Sequence, residues 1–229
     1  MGTNENREAG VHALPITVDY GGRALPITPT LVETERGPIL IDVGPEGAVD
    51  AVRTHLRSLG YELEDIWLVL LTHHDGDHAG GLAELLEHVD AAVATHRNEA
   101  PYVTGKREPI KGDGDRYPPA SVDLELTGGV RIPTLAGPME VVDTPGHSPG
   151  HISLQFPEDG LLLAGDALVA DGDGPIDGPK PEFTPNMDRA LESVADLADR
   201  DIEHVVCFHG GYVDCGSEAI GEITETHRD

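Results

Sequence analysis

At 229 residues, with 38 % of them hydrophobic, the chain is long enough to bury one layered α/β core, and no apolar run approaches the roughly 18 to 20 residues that a membrane-spanning helix needs. Its 42 acidic residues against 15 basic ones leave a formal net charge of −27, and Lys106, Lys111 and Lys180 are its only lysines; this argues against a nucleic-acid partner, because phosphate binding rests on Lys and Arg. The acids are dispersed along the chain, so the composition points to a halophilic surface suited to a salty cytoplasm rather than to an acidic block that docks a basic partner.

In chain order, residues 1–9 are polar, read as a flexible start, and lack the basic-then-apolar pattern of a secretory signal, so a cytoplasmic location is expected. Residues 12–20, 30–35 and 38–42 carry β-branched and apolar side chains between glycine-rich breaks and read as strands. Residues 45–59 place Ala48, Val52, Leu56 and Leu59 at helical spacing, with Gly60 as a stop. Residues 66–71 form a continuous apolar run, as in a strand buried on both faces, and residues 80–89 read as a helix with Leu82, Leu85, Leu86 and Val89 inward.

A short strand is expected at 91–95, a surface loop at 101–119 that covers a substrate pocket, and further strands at 122–126, 130–135, 139–143, 151–156 and 160–164. A second loop at 171–185, a helix at 187–198, a strand at 204–208 and a closing helix at 217–226 complete the pattern. The economical packing is α/β: two mixed sheets face to face with helices outside, in a single domain over residues 1–229. Cys207 and Cys215 match no zinc spacing; the first reads as a buried strand residue and the second as a loop thiol.

The segment Thr72-His73-His74-Asp75-Gly76-Asp77-His78-Ala79-Gly80-Gly81 leaves a buried strand and puts a dense group of imidazoles and carboxylates into one turn. Such a turn can aim His73 and Asp75 one way and Asp77 and His78 another, offering nitrogen and oxygen donors suited to zinc, manganese or iron. The plainer alternative is a helix start capped by Asp75 or Asp77. Three later residues follow apolar strands and stand beside glycine: His147 in Thr144-Pro145-Gly146-His147, Asp166 in Leu163-Ala164-Gly165-Asp166, and His209 in Cys207-Phe208-His209-Gly210. Each alone reads as a turn residue, a cap or a strand end; together they complete a metal site.

On these blocks the chain resembles the metallo-beta-lactamase superfamily, and especially its glyoxalase II-like hydrolases, over residues 12–212. The resemblance implies the four-layer αβ/βα sandwich. It also implies that Asp42, ending Ile39-Leu40-Ile41-Asp42, steadies the metal loop; that His73, Asp75 and His147 hold a first metal; that Asp77, His78 and His209 hold a second; and that Asp166 bridges them. The implied cofactors are two divalent ions, zinc first and manganese or iron as alternatives. The implied reaction is attack of a metal-bound hydroxide, oriented by Asp77 as the catalytic residue, on an ester, thioester or lactone-type carbonyl of a small-molecule substrate. One departure stands out: where the family usually has its second motif histidine, this chain has Asp75. An added carboxylate should weaken the first ion as a Lewis acid.

Two other readings of the same residues are an iron oxygenase resembling persulfide dioxygenases, with His73, His147 and Asp166 on the iron, and a non-catalytic metal-binding module. His74 is expected to leave the turn in another direction, His151 to start a strand, and His96 to line a helix start. His12, His55, His88, His204 and His227 read as surface or packing residues. Tyr102, Tyr117 and Tyr212 are candidate hydrogen-bond donors to substrate, and a homodimer is left open.

Overall fold

The computed structural model describes residues 10–111, 116–170 and 174–226. The expected flexible start at 1–9 lies outside them, as do parts of the loops at 101–119 and 171–185. The first half begins with β1 (Val11–Ala13), β2 (Ile16–Tyr20), β3 (Arg23–Ile27), β4 (Thr30–Thr34) and β5 (Gly37–Ile41), followed by helix α1 (Val49–Leu59). Then come β6 (Leu68–Leu71), the single turn α2 (Gly76–Ala79), α3 (Leu82–Leu86), β7 (Ala92–His96), α4 (Ala100–Val103) and β8 (Leu124–Leu126).

The second half runs through β9 (Arg131–Thr134), β10 (Gly137–Asp143), β11 (Ile152–Phe156), β12 (Leu161–Gly165), the short pair β13 (Val169–Ala170) and β14 (Ile176–Asp177), α5 (Met187–Ala198), β15 (His204–Cys207), β16 (Gly211–Val213) and α6 (Ser217–Thr226). One sheet has the order β1-β4-β5-β6-β7-β8 and the other β16-β15-β12-β11-β10-β9. In the first, β5, β6, β7 and β8 run parallel to one another; in the second, β12 and β15 are the parallel pair.

Alternation along the strands builds the layers. Leu68 and Leu70 of β6 join Leu161 and Leu163 of β12 and Val206 of β15 in the core between the sheets. Their neighbours Val69 and Leu71 face the other way, against Val52 and Leu56 of α1 and Leu82 and Leu85 of α3. On the far side, Leu162, Ala164, Val205 and Cys207 meet Val194 and Leu197 of α5 and Ile220 and Ile223 of α6. The architecture is therefore the αβ/βα sandwich, because each strand must bury both of its faces.

Several elements differ from the sequence reading. The hairpin of β2 and β3 includes Arg23–Ile27, where Arg, Ala and Pro hide the strand pattern, and the run at 12–20 breaks around Leu14 and Pro15. Helix α1 starts at Val49, four residues later than expected, and ends where Gly60 takes φ 88° and donates its N–H to the carbonyls of Arg57 and Leu56. The segment at 80–89 is helical only over Leu82–Leu86. The loop at 101–119 begins inside α4, and β16 adds an edge strand not foreseen. Among the described residues no helix is long and apolar enough to cross a membrane.

Candidate metal centre

Parallel strands deliver their carboxyl ends to one rim, and loops leaving that rim carry the donors. Asp42 follows β5, the segment 72–78 follows β6, Asp166 follows β12 and His209 follows β15. His147 lies in the turn between β10 and β11, whose start is joined to the first sheet by Ile152 N–H donating to the Thr72 carbonyl (3.1 Å). That turn needs its glycine: Gly146 has φ 136°, and a Cβ there would stand 2.3 Å from the backbone nitrogen of Ala190 in α5.

Three overlapping groups of side chains come close enough to share a cation: His73, Asp75 and His147; His73, His78 and Asp166; and Asp77, His78 and His209. Asp166 stands between the outer two, with Oδ1 3.1 Å from His78 Nε2 and Oδ2 3.4 Å from His147 Nε2 and 3.6 Å from His209 Nε2. Asp75 Oδ2 is 3.3 Å from His73 Nε2 and 3.1 Å from His147 Nε2, and Asp77 Oδ2 is 3.1 Å from His209 Nε2. His73 and His78 are fully buried, whereas the Asp77 and His209 side chains keep 19 % and 24 % of their surface, so the open face is on their side.

Supporting contacts aim these donors. The buried Asp42 carboxylate accepts from Thr72 N–H (2.8 Å), Thr72 Oγ1 (2.7 Å) and His78 Nδ1 (2.8 Å). Because an ionised carboxylate only accepts, Nδ1 donates to Asp42, which leaves Nε2 as the nitrogen turned toward the site. His151 is used the same way in the second half: its Nε2 accepts from Asp166 N–H (2.9 Å), and its Nδ1 meets Thr144 Oγ1 (2.8 Å). Gly165, φ 57°, makes room, since a Cβ there would come within 2.7 Å of His151 Nε2.

The resulting electrostatics call for a positive charge. His73 Nε2, His78 Nε2 and Asp166 Oδ1 are buried and have no hydrogen-bond partner, although the last two lie 3.1 Å apart. Burial pushes the His78 imidazole down, but Asp166, Asp42 and Asp77 outweigh it and hold its pKa well above the ordinary value. Burial likewise pushes the Asp166 carboxyl up, yet His78, His209 and His147 win and hold it well below the usual range. Burial and the neighbouring His78 keep His73 neutral, well below the ordinary value, despite Asp75. Buried imidazole nitrogens facing carboxylates are a donor set that could hold a divalent cation.

Comparison with known proteins gives the family and the fold. Residues 22–209 match the sequence profile of the metallo-beta-lactamase superfamily. The chain belongs to that superfamily. Among its relatives, the Bacillus subtilis (strain 168) protein named "Probable metallo-hydrolase YflN" is 34 % identical over 199 residues, covering 75 % of each chain. A hydroxyacylglutathione hydrolase of Cereibacter sphaeroides is 34 % identical over 168 residues, which is 73 % of this chain but only 55 % of that relative. Among solved structures, a metallo-beta-lactamase family protein from Thermus thermophilus superposes with a TM-score of 0.74 at 25 % identity, covering 96 % of this chain and 79 % of that one.

Within this metallo-beta-lactamase fold the three tyrosines and His74 take places around the centre. Tyr117 is buried and its hydroxyl donates to the His74 carbonyl (2.7 Å), Tyr102 stacks on the His74 ring, and the Tyr212 hydroxyl meets His204 Nδ1 (2.9 Å). The hydroxyls of Tyr117 and Tyr212 thus bond within the scaffold, and Tyr102 contributes its ring. As its place in the turn suggested, His74 points away from the donor groups, its Nδ1 against Glu99.

Two residues of the site were not singled out from sequence. Glu99, fully buried, accepts from His74 N–H (3.0 Å) with one oxygen and from Ser148 Oγ (2.8 Å) and Gly150 N–H (2.6 Å) with the other, tying the His73 loop to the His147 loop. In sequence it reads as an ordinary acid before a helix. Lys111 reaches in from the loop at 101–119, its Nζ 2.7 Å from His147 Nε2 and in contact with Asp75 Oδ2. The one signal for it was the scarcity of lysine in so acidic a chain.

Proposed function

We propose that the chain is a metal-dependent hydrolase of carbonyl substrates, with thioesters the first class to test and esters and lactones beside them. The observation that carries this reading is the close approach of His78 Nε2 and Asp166 Oδ1, 3.1 Å apart, among the donor groups formed by His73, Asp75, Asp77, His147 and His209. Asp77, His78, His209 and Asp166 would hold one ion; His73, Asp75 and His147 mark a second position that shares Asp166. When bound, a divalent ion such as zinc supplies Lewis acidity and lowers the pKa of water toward neutrality.

The chain's own residues divide the remaining work. Asp77, at the open face, orients the attacking water and accepts its proton. The water oxygen bonds to the substrate carbonyl carbon, the carbon–sulfur or carbon–oxygen bond breaks, and the proton held by Asp77 passes to the departing thiolate or alkoxide. Asp42 and His151 keep their partners from turning, so that the donors are set before substrate arrives. Ile110 and Phe183, both exposed, belong to the loops that bring Lys111 and Thr184 to His147, and offer apolar contact to an acyl chain. The hydroxyacylglutathione hydrolases among the relatives support the thioester class.

The test is hydrolysis of a hydroxyacylglutathione thioester, an aryl ester and a lactone by protein purified in high salt and reloaded with zinc, manganese or iron. Turnover that needs metal and falls by about 100-fold or more in Asp77→Asn supports the proposal. Oxygen consumption with a persulfide by iron-loaded protein, without hydrolysis, would replace it with the oxygenase reading. Retained metal with no turnover of either kind would leave a binding module.

A further inference from the structure

Two of the three donors in the His73, Asp75 and His147 group already face a cation that belongs to the chain. Lys111 Nζ lies 2.7 Å from His147 Nε2 and contacts Asp75 Oδ2, the same atoms that would bind a metal there. An ammonium donates along the lone pairs a metal would use, so the two cannot share the position. The charges also match: Asp75 adds one negative charge where the family usually carries a neutral histidine, and Lys111 returns it. The opposite group, Asp77, His78 and His209, has no described lysine or arginine contact of this kind.

We propose that Lys111 is an internal cation for the first metal position, so that the chain holds one ion tightly at Asp77, His78, His209 and Asp166, and admits a second only by displacing the lysine. The ammonium has the reach for this: it comes from a loop and its side chain keeps 19 % of its surface, so it can swing out without opening the core. Buried His73 Nε2, unpartnered in this structure, is left as the remaining donor for an incoming ion. The inference rests on the reading of the centre as a metal site.

The experiment is a calorimetric titration of zinc into metal-free protein in high salt, for the parent, Lys111→Met and Lys111→Arg, with retained zinc counted by elemental mass spectrometry after gel filtration. Circular dichroism confirms that each is folded. The parent and Lys111→Arg are expected to keep about one zinc per chain and Lys111→Met about two, its second ion bound about tenfold or more tightly than in the parent. Two equally tight ions in the parent, or a Lys111→Met protein with unchanged stoichiometry and second-site affinity, would overturn the role of Lys111 while leaving the metal centre. No retained zinc in any of the three would overturn the metal centre itself.

Discussion

The Asp42 carboxylate, just past β5, lies 2.8 Å from Nδ1 of His78 in α2, and this contact decides which imidazole nitrogen faces the centre. Asp42 is also the one non-glycine residue with positive φ (58°) among the described residues, a left-handed conformation that Asp and Asn tolerate better than most. Its three incoming hydrogen bonds all come from donors, so an amide cannot replace the carboxylate without turning its own N–H2 toward one of them. Asp42→Asn is therefore expected to keep the backbone but to weaken zinc binding by about 10- to 100-fold, the usual cost of losing a partner behind a metal-binding histidine. Isothermal titration with zinc checks this, and an unchanged affinity would remove Asp42 from the site.

Glu99 makes a different kind of prediction, about stability. Glu99→Ala would strand the N–H of His74, the hydroxyl of Ser148 and the N–H of Gly150 in a fully buried place. Removing one member of a buried charged network costs about 3–5 kcal/mol. For a chain of this size that is a fall in melting temperature on the order of 10 °C, measured by calorimetry. A drop of only a degree or two would show that the two loops are held by something else.

Tyr117→Phe separates scaffold from substrate contact. The hydroxyl donates to the His74 carbonyl, so its loss should cost about 1 kcal/mol or somewhat more in a denaturant melt. KM for whichever substrate is turned over should stay unchanged. A large rise in KM with unaltered stability would return Tyr117 to the substrate pocket.

The surface charge carries its own test. With −27 formal charges, the folded state repels itself, and salt relieves that repulsion as the Debye length shrinks from about 10 Å at about 0.1 M to about 3 Å at about 1 M. The melting temperature should climb steadily over that range in potassium chloride. A flat or falling profile would argue that the acids serve a partner rather than a salty surrounding.

Much of the fold was legible because burial writes itself into sequence as period. The apolar run before Thr72 and the helical spacing of Val52 and Leu56 both appear in the structure as the core layers they suggested. Arg23–Ile27 was illegible for the opposite reason: a largely exposed hairpin buries little, so nothing constrains its pattern.

Read alone, the residues showed the main core strands and helices in order and which imidazoles and carboxylates follow apolar strands, since a parallel sheet brings such ends to one rim whatever the loops do. Only the tertiary structure decided what stands behind and between them. Asp42 and His78 are 36 residues apart and Glu99 and Gly150 are 51 apart, while Lys111 meets His147 from another loop. Contacts of that kind leave no local pattern. They depend on where loops close once two sheets have packed, and so Lys111, one of three lysines in the chain, became visible as a resident cation only in three dimensions.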